Sequence, residues 1–86
     1  MSEEKEIGVV THYYSHLKVA IIKLSDQLKV GDMIHIKGHT SDFNQKVESM
    51  QIEHQNIEEA KKGQLIGLKV KEHAREKDKV YKVIEN

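Results

Sequence analysis

Residues Val47 to Val70, VESMQIEHQNIEEAKKGQLIGLKV, decide the fold class of this chain, because they can be read with either of two periods. A helical period places Val47, Met50, His54 and Ile57 on one stripe and finds a stop at Lys61, Lys62 and Gly63. A period of two puts Met50 and Ile52 on one face, leaves a turn around Asn56 to Lys62, and returns Ile66, Leu68 and Val70 to one face. Propensity favours the helix over Lys46 to Lys62, since Glu, Gln, Lys and Met are good helix formers. Context favours the strands. One extra residue at Glu48-Ser49, a β-bulge, brings Val47 into step with Met50 and Ile52. Gly67 would cost a helix ~1 kcal/mol, whereas in a strand it permits a close backbone approach or a sharp bend.

Elsewhere apolar and β-branched residues arrive in short bursts separated by turn chemistry. Strands are expected near Ile7 to Tyr14, Leu17 to Leu24, Met33 to Lys37, Gln45 to His54, Gln64 to Lys71 and Lys79 to Ile84. Met33 to Lys37 is the clearest, with Ile34 and Ile36 on one face and His35 and Lys37 on the other. Asp26, Gly31-Asp32 and the GHTSDFN stretch supply turns and loops without any proline. The expected core is Val19, Ile21, Ile34, Ile36, Val47, Met50, Ile52, Ile66, Leu68, Val70, Tyr81 and Val83. Residues 1–5 read as a flexible tail and residues 6–86 as one domain.

Charge narrows the function. The chain carries 14 basic and 14 acidic residues, so no global field draws it to nucleic acid or lipid, and any such binding must use a local patch. The absence of cysteine excludes thiol catalysis, thiolate zinc sites and disulfides, and fits a cytoplasmic protein. No run approaches the ~18 apolar residues of a membrane span, and the acidic start is unlike a signal peptide. No phosphate-binding loop of the G-x-x-x-x-G-K-[ST] form occurs, so neither GTP nor another cofactor is expected.

Four stretches carry a resemblance. LKVGDMIHIKG (Leu28 to Gly38), VESMQIE (Val47 to Glu53), EEAKKGQLIGLKV (Glu58 to Val70) and REKDKVYKV (Arg75 to Val83) resemble the second domain of translation elongation factors of the elongation factor Tu kind. Val30, Gly31, Asp32, Ala60, Gly63, Gly67 and Leu68 fall on that family's pattern, whereas Gln64 and Lys77 depart from it. The same stretches resemble the small C-terminal barrel of collagenase-like proteins, some of which are linked to tRNA modification; SMQIEH and GHTSDF are closer to that group. The resemblance implies an all-β fold, a closed six-stranded antiparallel Greek-key barrel. It also implies a non-catalytic binding module that contacts tRNA, ribosomal RNA or a translation-linked protein. The alternative is a protein-docking module for an enzyme of the collagenase-like group, without RNA contact.

Candidate chemistry is sparse. His12 and His16 have i, i+4 spacing, but in a strand-like segment without a third ligand, so no metal is expected. His39, Ser41 and Asp42 sit in one short loop, where neighbours rarely converge on one reacting atom. Phe43, the only phenylalanine, is either a plug closing one end of the barrel or a stacking platform. Lys37, His39, Phe43, Lys69, Lys71 and Arg75 are the candidate RNA- or partner-binding residues, against the reading that the lysines are solvated strand faces guarding an edge.

Overall fold

A computed structural model describes residues 2–85. The chain is all-β there: β1 (Ser2–Tyr14), β2 (Val19–Leu24), β3 (Leu28–Lys29), β4 (Met33–Lys37), β5 (Asp42–Lys46), β6 (Met50–Ile52), β7 (Gln55–Ile57), β8 (Glu59–Ala60), β9 (Leu65–Lys69) and β10 (Lys79–Glu85). The disputed segment is therefore strands. β6 and β7 form a hairpin whose two turn residues, Glu53 and His54, have φ of 50° and 66°. That is the left-handed pair a two-residue hairpin turn demands. Asn56 to Lys62, expected as at most one helical turn, holds most of β7 and all of β8 instead.

Eight strands form one antiparallel sheet in the order β5-β4-β10-β1-β2-β9-β6-β7, and β3 pairs with β8 beside it. The expected closed six-stranded barrel is not what the backbone builds: no ladder joins β5 to the other edge among the described residues. The sheet nevertheless curls, because buried side chains from β1, β2, β4, β5, β6, β9 and β10 meet in one apolar cluster. The single long strand expected from Gln45 to His54 is broken at Val47–Ser49, where the chain leaves β5 and crosses to β6. Val47 plugs into the core at that crossing and its N–H donates to Asp32 O at 2.8 Å. A crossing thus replaces the expected bulge.

Residues 2–5, expected as a tail, extend β1 and pair with β10 from Ser2 opposite Glu85 onward. The ladder supplies the partners that a free tail would lack. Gly8 lies where β1 shifts register against β10; a methyl group there would meet Ile22 Cγ2 at 2.8 Å and Lys23 O at 2.9 Å on β2, so β1 and β2 approach this closely only around a glycine. Gly67 differs. The first atoms its Cβ would meet are 3.6 Å away, an ordinary contact, and the expected close approach is not there.

The core holds Ile34, Ile36, Val47, Met50, Ile66, Leu68 and Val70, as the alternation indicates. In β2 the parity is the reverse of the one expected: Ala20, Ile22 and Leu24 are buried, and Val19 and Ile21 lie half-exposed on the other face. In β10 it is Val80 that is buried, while Tyr81 and Val83 lie half-exposed on the outer face; Ile52 on β6 is half-buried and packs against the core from the Met50 face, as expected.

Candidate functional site

The seam between β5 and the end of β9 holds a groove of about 840 Å³. Its walls are Asn44, Gln45 and Lys46 on one side and Lys69, Val70 and Lys71 on the other. Gln45 spans it. Its side-chain Nε2 donates to Lys69 O at 2.9 Å and its Oε1 accepts from Lys71 N at 2.8 Å. One amide thereby does what a residue of a neighbouring parallel strand would do opposite Val70, accepting on one side and donating on the other. The seam is tied by a side chain where a closed barrel would have a ladder.

The β5 edge facing this groove is unpaired. Gly38 N donates to Ser41 O and Val47 N to Asp32 O, both at 2.8 Å, which fixes residues 41, 43, 45 and 47 as the hydrogen-bonded positions against β4. The N–H and C=O of Asn44 and Lys46 consequently point away from β4, toward the groove. Around the same groove stand Lys18, Lys46, Lys69 and Lys71 against the single carboxylate of Glu48. None of these four lysines joins an ion pair among the described residues, whereas Lys5, Lys79 and Lys82 pair with Asp26, Glu6 and Asp32. Four lysines thus face one carboxylate around a single groove.

The sequence candidates divide. Lys69 and Lys71 line the groove. Lys37 ends β4 and His39 sits in the β4–β5 turn, both exposed, and neither lines it. Arg75 lines a separate shallow depression with Tyr13 and His73, whose rings lie 4.5 Å apart. Phe43 is 6% exposed within the core, so it plugs the fold and offers no face for stacking. Sequence reasoning passed over Lys18, Lys46, Asn44 and Gln45. Gln45 and Lys46 fall in the expected Gln45 to His54 strand, but that strand is expected to run on into β6 rather than to leave a free edge at β5, and Lys18 lies in a hairpin turn with φ of 56°.

The His39-Ser41-Asp42 phrase does not assemble. Ser41 Oγ donates to His73 O at 3.3 Å, and the Asp42 carboxylate bonds His35 Nε2. His35 also meets Glu4 through Nδ1 at 2.9 Å. The hydrogen bond to Asp42, and then that to Glu4, raises the His35 pKa, while His35 lowers that of Asp42. This cluster ties β1, β4 and β5 on the outer face. Among the described residues no group of three His, Cys, Asp or Glu side chains is placed to hold a metal ion, and no helix is long and apolar enough to cross a membrane.

No family model matches the chain. It is 46% identical over 77 residues to an uncharacterized protease of Methanocaldococcus jannaschii, and 42% identical over 78 residues to a collagenase of Porphyromonas gingivalis. Each alignment covers 88% of this chain but only 19% and 22% of the relative, so the chain spans about a fifth of the length of the curated relatives it matches. Two structures of the C-terminal domain of a Geobacillus thermoleovorans protein assigned to the U32 peptidases share the fold. One has a TM-score of 0.86 at 22% identity, covering 95% of this chain and 93% of that one. The selenomethionine variant gives 0.84 at 20%, covering 88% and 96%. These relatives support the collagenase-like half of the sequence resemblance and lend nothing to the elongation-factor half.

Proposed function

We propose that this chain is a non-catalytic accessory module that docks, in the cytoplasm, on the catalytic portion of a collagenase-like protease. The observation that carries the reading is the pattern of likeness. It takes in nearly the whole of this chain and about a fifth of each curated relative, leaving most of each relative to carry the activity its name describes. The fold agrees with that division of labour, since the two solved structures described above are of a C-terminal domain. Side chains that could suggest catalysis are engaged structurally: Ser41 with the His73 carbonyl, Asp42 with His35.

The test mixes this chain with the Methanocaldococcus jannaschii protease from which the matching segment has been removed, with and without nuclease treatment, and follows complex formation by size-exclusion chromatography. A complex that forms equally with and without nuclease treatment supports docking through protein contact. Absence of a complex at micromolar concentrations removes the proposal. A complex that disappears on nuclease treatment replaces it with contact to tRNA or ribosomal RNA, whose phosphate contacts weaken steeply with salt.

A further inference from the structure

We infer that the groove between β5 and β9 binds an extended acidic peptide segment, which adds to the free edge of β5. The inference rests on the docking function proposed above and names its surface and the chemistry of the partner.

Three independent features of the groove converge on that occupant. First, Asn44 and Lys46 turn unpaired main-chain N–H and C=O groups into it, and an incoming strand satisfies such an edge by β-augmentation, displacing the Gln45 amide from Lys69 O and Lys71 N as it enters. Second, Lys18, Lys46, Lys69 and Lys71 surround it with Glu48 as the one opposing charge, and none of the four has an acidic partner among the described residues. Third, Met33, 40% exposed, and the half-exposed Val83 add an apolar strip to its lining. A strand alternating acidic and apolar side chains presents both kinds of partner, one to each side. Lysines on an edge ordinarily guard it against other strands. That guard repels basic strands and gives neutral ones no charge partner, and it leaves acidic ones admissible.

Nucleic acid fits the same charge but not the same lining. Single-stranded nucleic acid is held by aromatic platforms and arginine alongside lysine. The groove contains neither an aromatic residue nor an arginine. Phe43, the ring nearest to it in sequence, is turned into the core. The main-chain groups of β5 also favour a peptide, since they match the spacing of another strand.

The experiment titrates the isotope-labelled chain with a capped synthetic peptide of about seven residues, alternating Glu and Val, a typical strand length. Its comparators are the same peptide N-methylated at alternate residues and a single-stranded RNA of about ten nucleotides. The amide signals of Asn44, Lys46, Lys69 and Lys71 are expected to shift, and those of Asn44 and Lys46 to become protected from hydrogen exchange. Replacing Lys46, Lys69 and Lys71 together with Gln should weaken the peptide about tenfold or more, with the spectrum away from the groove unchanged. N-methylation of the edge-facing amides should weaken it similarly at constant charge. The inference is overturned if the peptide shifts none of these signals at low salt, if the N-methylated peptide binds equally well, or if RNA shifts them at lower concentration than the peptide. If the truncated protease docks without shifting these four amides, docking stands and the groove assignment is lost. If the peptide binds as described and the protease does not, the groove assignment stands and the docking reading is the one lost.

Discussion

His35 on β4 reaches across β10 to hold the Glu4 carboxylate of β1 at 2.9 Å, while its other ring nitrogen bonds Asp42 on β5. Two carboxylates on one imidazole favour the imidazolium, and the pKa of His35 is raised above 6.5. A raised folded-state pKa gives stability that is fully present below the unfolded value and is lost as pH rises through the folded one. For Asp42, lowered below 3.8 by the bond to His35, the contribution is present above that value and is lost as pH falls through the folded one. The stability difference between the wild type and His35→Gln should therefore be largest below the unfolded value of 6.5 and shrink as pH rises through the raised folded His35 pKa. Chemical denaturation across that range measures it. A difference that does not change with pH would show that the imidazolium pairs contribute nothing.

The Gln45 clamp can be opened without touching the ladders. Gln45→Met keeps the length of the side chain and leaves Lys69 C=O and Lys71 N–H to water, at a cost of about 1 kcal/mol. Hydrogen exchange at the Lys71 amide should accelerate while that at Val70, whose N–H donates to Lys18 O at 2.8 Å, stays slow. Equal acceleration at both would mean that Gln45 holds the whole end of β9 in place.

Two glycines should respond oppositely to the same change. Gly67 has room for a methyl group and lies inside a strand, so Gly67→Ala is expected to stabilise by about 0.4–1 kcal/mol through the unfolded chain. Gly38→Ala drives a Cβ into the Asp78 carboxylate, which is 4% exposed and accepts from Arg75 N at 2.9 Å, so it should destabilise by ~1–3 kcal/mol. Thermal melts of the pair decide it. A stabilised Gly38→Ala would contradict the geometry of that turn.

The β6–β7 turn puts two side chains where glycine and asparagine do better. Replacing Glu53-His54 with Asn-Gly should raise stability by about 1 kcal/mol, since both positions have positive φ. An unchanged or lowered melting temperature would mean that the turn's own side chains compensate for the strain.

The same turn explains part of what the sequence could not convey. Glu53-His54 carries none of the Asn-Gly signature that marks a hairpin, so the two short strands on either side read as one strand followed by a turn. MIHIK was legible because its alternation is unambiguous and its Ile34 and Ile36 are fully buried. In Val19-Ala20-Ile21-Ile22 every residue is apolar, so the period locates the strand without saying which face turns inward. Tyr81 outranks Val80 in size, yet it lies outside beside His35, with ring centroids 6.2 Å apart, and the smaller residue fills the core. At the seam, Lys69 and Lys71 could be read as outward lysines on one strand. Their companions Lys18 and Lys46 come from a hairpin turn and from the end of β5, and only the tertiary curl of the sheet brings them together.

The pairing of β1 with β10 sets the order in which this molecule can be assembled. The two strands that meet most extensively come from opposite ends of the chain, with Glu3 opposite Ile84 and Val9 opposite Lys79. Closing so long a loop before any reward is collected makes folding slow relative to a fold of local hairpins. During synthesis β1 can find β2 early, but its other edge stays open until β10 has left the ribosome. Until then the nascent chain carries an unprotected edge that includes Ile7 and Val9, open to mispairing with other strands.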